Sequence, residues 1–207
     1  MPDFSIEKEF DHPVIGLDEV GRGPIAGPVI SCGCYFTNYS NQKEFAIFIG
    51  ESKKLSEKKR LLSFQLLKNL KKNGIIQYHL GIADVEEIDN LNILEATKLS
   101  MKRAVDKFNI KNAQLIIDGN FALSYKSYKE QSVIKGDNKS LSIAAASFIA
   151  KVHRDRLMKK LSIKFQNFGW EKNSGYGTKT HIENIHRLGP TIHHRKTFEP
   201  IKSLIHS

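Results

Sequence analysis

Three short apolar runs in this chain close on acids, and a glycine stands within two residues of each. Val14-Ile15-Gly16-Leu17 leads into Asp18-Glu19 and then the loop Gly21-Arg22-Gly23-Pro24. "AQLIID" closes on Asp118-Gly119, and "QSVIKGD" closes on Gly136-Asp137. Short apolar runs bounded by turn-forming residues read as buried strands. If those strands are neighbours, their acids converge at one edge of a sheet. If they are not, each acid is a turn former or a helix cap, and Asp137, just before a helical pattern, fits that role as readily as the other.

The rest of the chain supplies the flanking layers. The opening reads as strands over 14–19 and 27–37 joined by a Gly/Pro turn. Ser56 is placed to cap a helix over 57–72, with Leu61, Leu62, Phe64, Leu66, Leu67 and Leu70 on its apolar side and Asn73-Gly74 as its stop. A strand follows over 75–82, a short helical turn over 84–89 and a long helix over 91–108. The second acid-bearing strand spans 113–117, and the third ends at Gly136-Asp137. The helix over 140–165 is small and apolar in its first half, "SIAAASFIA", and basic in its second, "KVHRDRLMKKL". Further helices are expected over 179–187 and 197–206. Strands alternating with helices, without repeat or linker, give a single α/β domain over 1–207 with 166–207 as a helical C-terminal portion.

Composition narrows the partners. Lys and Arg number 32 against 22 Asp and Glu, a net charge of +10. That balance suits a polyanion such as nucleic acid, or a solvated Lys-rich surface. No long uncharged apolar run crosses a membrane, and the acid-bearing N-terminus lacks a leader's apolar core, so a cytoplasmic protein is expected. Cys32 and Cys34 are too close along one strand to pair, and read as buried thiols.

Asp18, Glu19, Asp118 and Asp137 repel one another if they meet at low dielectric. A hard divalent cation, Mg²⁺ or Mn²⁺, is the usual remedy, and two such ions suit phosphodiester chemistry. Neighbours in a regular strand face opposite ways, so Asp18 and Glu19 share a site only through a bend or bulge, made easy by Gly21 and Gly23, or if one of them binds through a different atom. Asp155 stands between Lys151 and Lys159 at helical spacing and reads as part of a salt-bridge ladder. His193 and His194 read as solvated loop histidines before any role at a leaving group or phosphate. The eight histidines show no zinc spacing, and no phosphate-binding glycine loop or nucleophile elbow occurs.

"GLDEVGRGPIAGPV", "ESKKLSEKKR", "IIDGN", "KGDNKSLSIAAASFIAKVHRDRLM", "SGYGT" and "HRKTFEPIK" follow in order over about residues 12–203. Together they resemble bacterial ribonuclease HII. The resemblance implies a ribonuclease H-like mixed sheet flanked by helices, with a helical C-terminal segment. It implies metal-dependent cleavage of RNA in RNA/DNA hybrids, and incision 5′ of single ribonucleotides in duplex DNA, by a monomer. It implies metal-binding and catalytic roles for Asp18, Glu19, Asp118 and Asp137, a ribose-reading loop at Gly21, Arg22 and Gly23, a phosphate contact at Lys53 and a substrate-distorting Tyr176. Glu51 and Ser174 depart from the family's usual Asp and Lys, and the second removes a positive charge beside Tyr176. Another metal-dependent nuclease of the same fold shares the acids but has no use for both glycine loops. A non-catalytic hybrid-binding module leaves the acids without purpose.

Overall fold

The structure, a computed structural model, describes residues 1–40, 46, 57–126 and 128–206. Five strands make one mixed sheet: β1 Val14–Val20, β2 Val29–Phe36, β3 Ile76–Ala83, β4 Gln114–Asp118 and β5 Lys129–Val133. Their order is β3-β2-β1-β4-β5. β1, β2 and β3 form an antiparallel meander, whereas β1, β4 and β5 run parallel. The parallel half fixes the site, because it delivers the C-terminal ends of three adjacent strands to one sheet edge.

The helices are α1 Glu57–Lys72, α2 Val85–Leu91, α3 Ile93–Val105, α4 Leu141–Lys164, α5 Trp170–Asn173, α6 Lys179–Leu188 and α7 Ile201–His206. Side chains of β1 alternate between two layers. Ile15 and Leu17 pack with Met101 and Val105 of α3, while the opposite face meets α4. The small residues of α4 have a direct cause. A Cβ on Gly16 would lie 2.5 Å from the Ile143 nitrogen, so helix and strand touch backbone to backbone there. Ala144, Ala145, Ala146 and Ile149 share one core with Phe64, Leu67 and Leu70 of α1 and with Cys32 and Cys34. Both thiols are free and buried, and burial pushes both up. The C-terminal portion closes a further core in which Phe168, Trp170, Ile185 and Ile201 meet Met158 of α4 and Ile25-Ala26. No helix among the described residues is long and apolar enough to cross a membrane.

The helices differ from the sequence expectations in three places. The helix over 91–108 is two helices. Asn92, at φ 72°, ends α2, and its side chain accepts the Leu94 and Glu95 amides to start α3. The final helix begins only at Ile201, because the Lys196 and Thr197 amides are held by the Asp89 carboxylate. Leu62 of α1 faces solvent rather than the core. The Ser56 cap lies outside the described residues.

Candidate active site

The pairing of β1 with β4 stops at Leu17↔Ile117, so the next residues, Asp18 and Asp118, stand at the same level of adjacent strands. The expected bend at Asp18-Glu19 is absent. β1 keeps regular register with β2 through Asp18↔Cys32, Glu19↔Ser31 and Val20↔Ile30. Alternation starts the two side chains from opposite faces, yet Glu19 and Asp118 both act on the Asp18 charge where the β1–β4 ladder stops.

Asp18 is 5% exposed. Its carboxylate accepts the Glu19 amide at 2.6 Å and shares a side-chain hydrogen bond with Ser147 of α4. Burial, then the charges of Glu19 and Asp118, hold its carboxyl well above the usual carboxylate range. Burial also raises Glu19, opposed by Arg22, whose Nη1 donates to Oε1 at 3.3 Å. The other oxygen, Glu19 Oε2, is buried without a hydrogen-bond partner among the described residues. Asp118 Oδ1 accepts the Gly136 amide at 2.6 Å, which ties the loop after β5 to the end of β4. Asp137 lies in the 3₁₀ turn Gly136–Asn138, and its Oδ1 accepts from the Asn138 side-chain Nδ2 at 2.8 Å. It is not the cap of α4, since Ser140 fills that position.

Among the described residues, no three His, Cys, Asp or Glu side chains close on one point as a ready metal cage. The donor set nonetheless suits a hard divalent cation. It consists of acceptor-only oxygens, one of them buried and orphaned, whose mutual repulsion a cation relieves. Mg²⁺ in particular takes one or two carboxylates and completes its shell with water and phosphate oxygens.

Two buried arginines build the loop beyond the acids. Arg195 donates to the Gly21 carbonyl at 2.5 Å, to Arg22 at 2.9 Å and to Gly27 at 2.8 and 3.0 Å. Arg154 donates to the carbonyls of Pro28 at 3.0 Å, Ala26 at 3.0 Å and Ser174 at 2.8 Å. Burial lowers both, Arg154 to about 10 and Arg195 to about 9, and the neighbouring Arg154 charge adds to the second. The Gly175 carbonyl accepts the Ile25 and Ala26 amides, and the His193 carbonyl accepts Gly27 at 2.8 Å. Residues 21–28, 174–177 and 193–195 therefore form one body. Gly21, at φ +98°, has no room for a side chain: its Cβ would stand 2.8 Å from the Pro28 carbonyl. A Cβ on Gly23 would lie 3.4 Å from Tyr176 Cε1, which sets the glycine loop directly against the exposed tyrosine ring.

The structure thus brings together Asp18, Glu19 and Asp118, with Asp137 on the adjoining turn, and beside them Gly21, Arg22, Gly23 and Tyr176. Lys53 and Glu51 lie outside the described residues. Asp155 pairs with Lys151 at 2.6 Å, as the ladder reading expects, and Ser174 Oγ also reaches it at 3.3 Å. Ser174 is thus a neutral brace on Asp155. His194 is not a solvated loop residue: it is 1% exposed and bonded to His181 and Thr191. Arg154, Arg195, Trp170 and His181 are contributors that sequence reasoning missed. Arg154 alone had a signal, since Ala146, Ala150 and Met158 form a buried i+4 stripe that runs through it.

Residues 15–200 match the family model described as Ribonuclease HII. The chain is 46% identical over 203 residues to Ribonuclease HII of Wolbachia pipientis subsp. Culex pipiens (strain wPip), covering 98% of each. It is 43% identical over 211 residues to Ribonuclease HII of Ehrlichia chaffeensis, covering 99% of this chain and 97% of that one. Among solved structures it resembles ribonuclease H2 from Pyrococcus horikoshii OT3, with a TM-score of 0.74, 26% identity and coverage of 93% and 96%. Bst-RNase HIII, solved with Mn²⁺, shares the fold alone, with a TM-score of 0.68 and 17% identity over 94% of this chain and 70% of that one.

Proposed function

This chain belongs to the ribonuclease HII family and is an RNase H endonuclease, and from that premise we propose its substrate and chemistry. It cleaves RNA in RNA/DNA hybrids and incises duplex DNA on the 5′ side of a single ribonucleotide, leaving a 3′-hydroxyl and a 5′-phosphate. The observation that carries this reading is a juxtaposition: coupled carboxylates at the ends of parallel strands, beside a glycine loop that abuts an exposed tyrosine.

Asp18, Glu19, Asp118 and Asp137 hold the divalent cation, Mg²⁺ or Mn²⁺. A bound cation of this kind supplies charge neutralisation at the phosphate and a water acidic enough to become the nucleophile. The chain's own residues do the selecting. Arg195 turns the Gly21 and Arg22 carbonyls inward, and the remaining backbone of Gly21-Arg22-Gly23 is left to read the ribose edge. The 2′-hydroxyl, both donor and acceptor, is the group that separates RNA from DNA there. Arg22, exposed and held by a 3.3 Å pair with Glu19 and over the Phe121 ring, is available to a phosphate. The reading is tested by cleavage of matched duplexes carrying zero, one or four ribonucleotides, with and without chelator. Cleavage of the all-DNA duplex, or chelator-resistant cleavage, would overturn it.

Tyr176 stacks on the sugar beyond the ribonucleotide and favours the RNA–DNA junction. Stacking on nucleic acid is worth about 1–3 kcal/mol, so Tyr176→Ala is expected to lower kcat/KM roughly 10- to 100-fold. The loss is larger on a single ribonucleotide than on a continuous hybrid, and Tyr176→Phe keeps most activity. Equal losses on both substrates would reduce the residue to a general binding contact.

Binding to an uncleavable duplex is expected to weaken steeply with salt, as the net charge of +10 requires. Lys53→Ala lowers the log–log slope by about 0.9 if Lys53 contacts one phosphate. An unchanged slope means that Lys53 contacts none.

A further inference from the structure

Trp170, His181 and His194 form a closed hydrogen-bond chain behind the Tyr176 loop, and the functional reading above uses none of them. The Trp170 indole N–H donates to His181 Nε2 at 3.0 Å, and His194 Nε2 stands 3.0 Å from that same nitrogen. His194 Nδ1 accepts the Thr191 amide at 2.8 Å, so it carries no proton. The His194 proton is therefore on Nε2 and points at His181. His181 Nε2 must accept from the donor-only indole, and the two N–H groups share its one lone pair, so its own proton is on Nδ1, 2.8 Å from the Tyr176 carbonyl oxygen. One pair of neutral tautomers satisfies every contact. A second proton on either ring would set N–H against N–H, with Trp170 at His181 or with Thr191 at His194. Burial lowers His181, and burial with the adjacent imidazole holds His194 down to about 4.

The Tyr176 carbonyl is the outward end of this chain, and it also accepts the Thr178 amide at 2.8 Å. Both of its acceptor directions are thus taken. Tyr176 sits between two glycines, and such a segment has wide conformational freedom unless something fixes its peptide planes. Tyr176 is 52% exposed, so packing alone leaves its ring lightly held. A ring that must meet a nucleic-acid sugar at a set angle needs that backbone preorganised.

We propose that His181 is a positioning residue for Tyr176: its Nδ1–H, aimed by Trp170 and His194, pins the Tyr176 carbonyl and holds the ring against Gly23. The proposal rests on the role given to Tyr176 above. His181→Ala removes the pin. His181→Asn loses the same Nε2 contacts to Trp170 and His194 but keeps an N–H donor where Nδ1 stood. A merely structural histidine makes the two variants fall together.

The expected result separates them. His181→Ala lowers kcat/KM on a single-ribonucleotide duplex roughly 10-fold, and less on a continuous hybrid. His181→Asn recovers most of that loss, although both variants lower the thermal midpoint alike, followed by the emission of Trp170, the single tryptophan. In a Tyr176→Ala background, His181→Ala costs nothing further. Equal losses on the two substrates, no recovery with Asn, or additivity with Tyr176→Ala would each overturn the proposal. Amide exchange of residues 174–178 reads the pin without cleavage: it is faster in His181→Ala than in His181→Asn, and equal rates overturn the proposal. If the wild-type chain cleaves neither ribonucleotide duplex, the substrate reading falls while the exchange measurement still decides the pin.

Discussion

Asp18→Asn and Asp118→Asn are each expected to abolish cleavage, lowering kcat by at least about 10³-fold, while the substrate duplex is still bound. The amide keeps the shape of the carboxylate and removes the charge that a cation needs. Binding survives because the Lys and Arg that meet phosphates are separate from the acids, and the chain remains strongly basic. A second readout needs no substrate. Asp18 is buried beside Glu19 and Asp118, and their charges disfavour its ionised form. With no divalent cation present, Asp18→Asn therefore melts at a higher temperature than wild type near neutral pH. Adding Mg²⁺ or Mn²⁺ raises the wild-type midpoint by mass action and moves the variant less. Near-normal turnover of either variant at saturating metal removes that residue from the metal site. A lower melting temperature for Asp18→Asn would mean that its hydrogen bonds to Ser147 and the Glu19 amide outweigh the repulsion.

The acids were legible because a short apolar run that closes on charge marks a buried strand reaching a polar edge, and because parallel neighbours share that edge. The route by which Asp18 and Glu19 meet was not legible. Period-two alternation sets them on opposite faces, and the sequence expectation supplied a bulge to reconcile them. The structure keeps the strand regular and sets the pair where its ladder with β4 stops, beside a strand roughly 100 residues away along the chain. Asn92 hid for a different reason. The apolar period of α3 carries back across it, and only the cap geometry shows two helices. Arg195 hid most completely, and Arg154 showed only its place in a buried i+4 stripe. A basic residue in a charged stretch reads as solvated, yet Arg154 and Arg195 are buried against backbone carbonyls that, Ser174 apart, lie 126 to 174 residues distant. Local pattern carries no trace of partners that are all backbone. The histidine pair shares this fault, since His181 and His194 meet only because α6 and the loop before Arg195 fold onto Trp170.

Arg195→Met is expected to be the most destabilising single change in the loop body. The guanidinium serves the carbonyls of Gly21, Arg22 and Gly27, and methionine fills part of its volume without donating. Each buried acceptor left unsatisfied costs about 1–3 kcal/mol, so the loss is about 3 kcal/mol at the low end. For a chain of this size that lowers the thermal midpoint by roughly 6–12 °C. The same contacts aim the Gly21 and Arg22 peptides, so catalysis falls further than stability explains. On a single-ribonucleotide duplex well below the melting transition, kcat/KM drops at least about 100-fold. Arg195→Lys gives an intermediate result, because one ammonium cannot reproduce the planar fork that spans three carbonyls. Thermal melting and kinetics on the same preparations decide the matter. A variant that melts and cleaves like wild type would show that the Gly175 and His193 backbone bonds hold the loop unaided. A variant that melts early but cleaves normally would confine Arg195 to stability. Only the joint loss makes its guanidinium the group that shapes the ribose-facing backbone, and it explains why so strong a charge is buried against carbonyls.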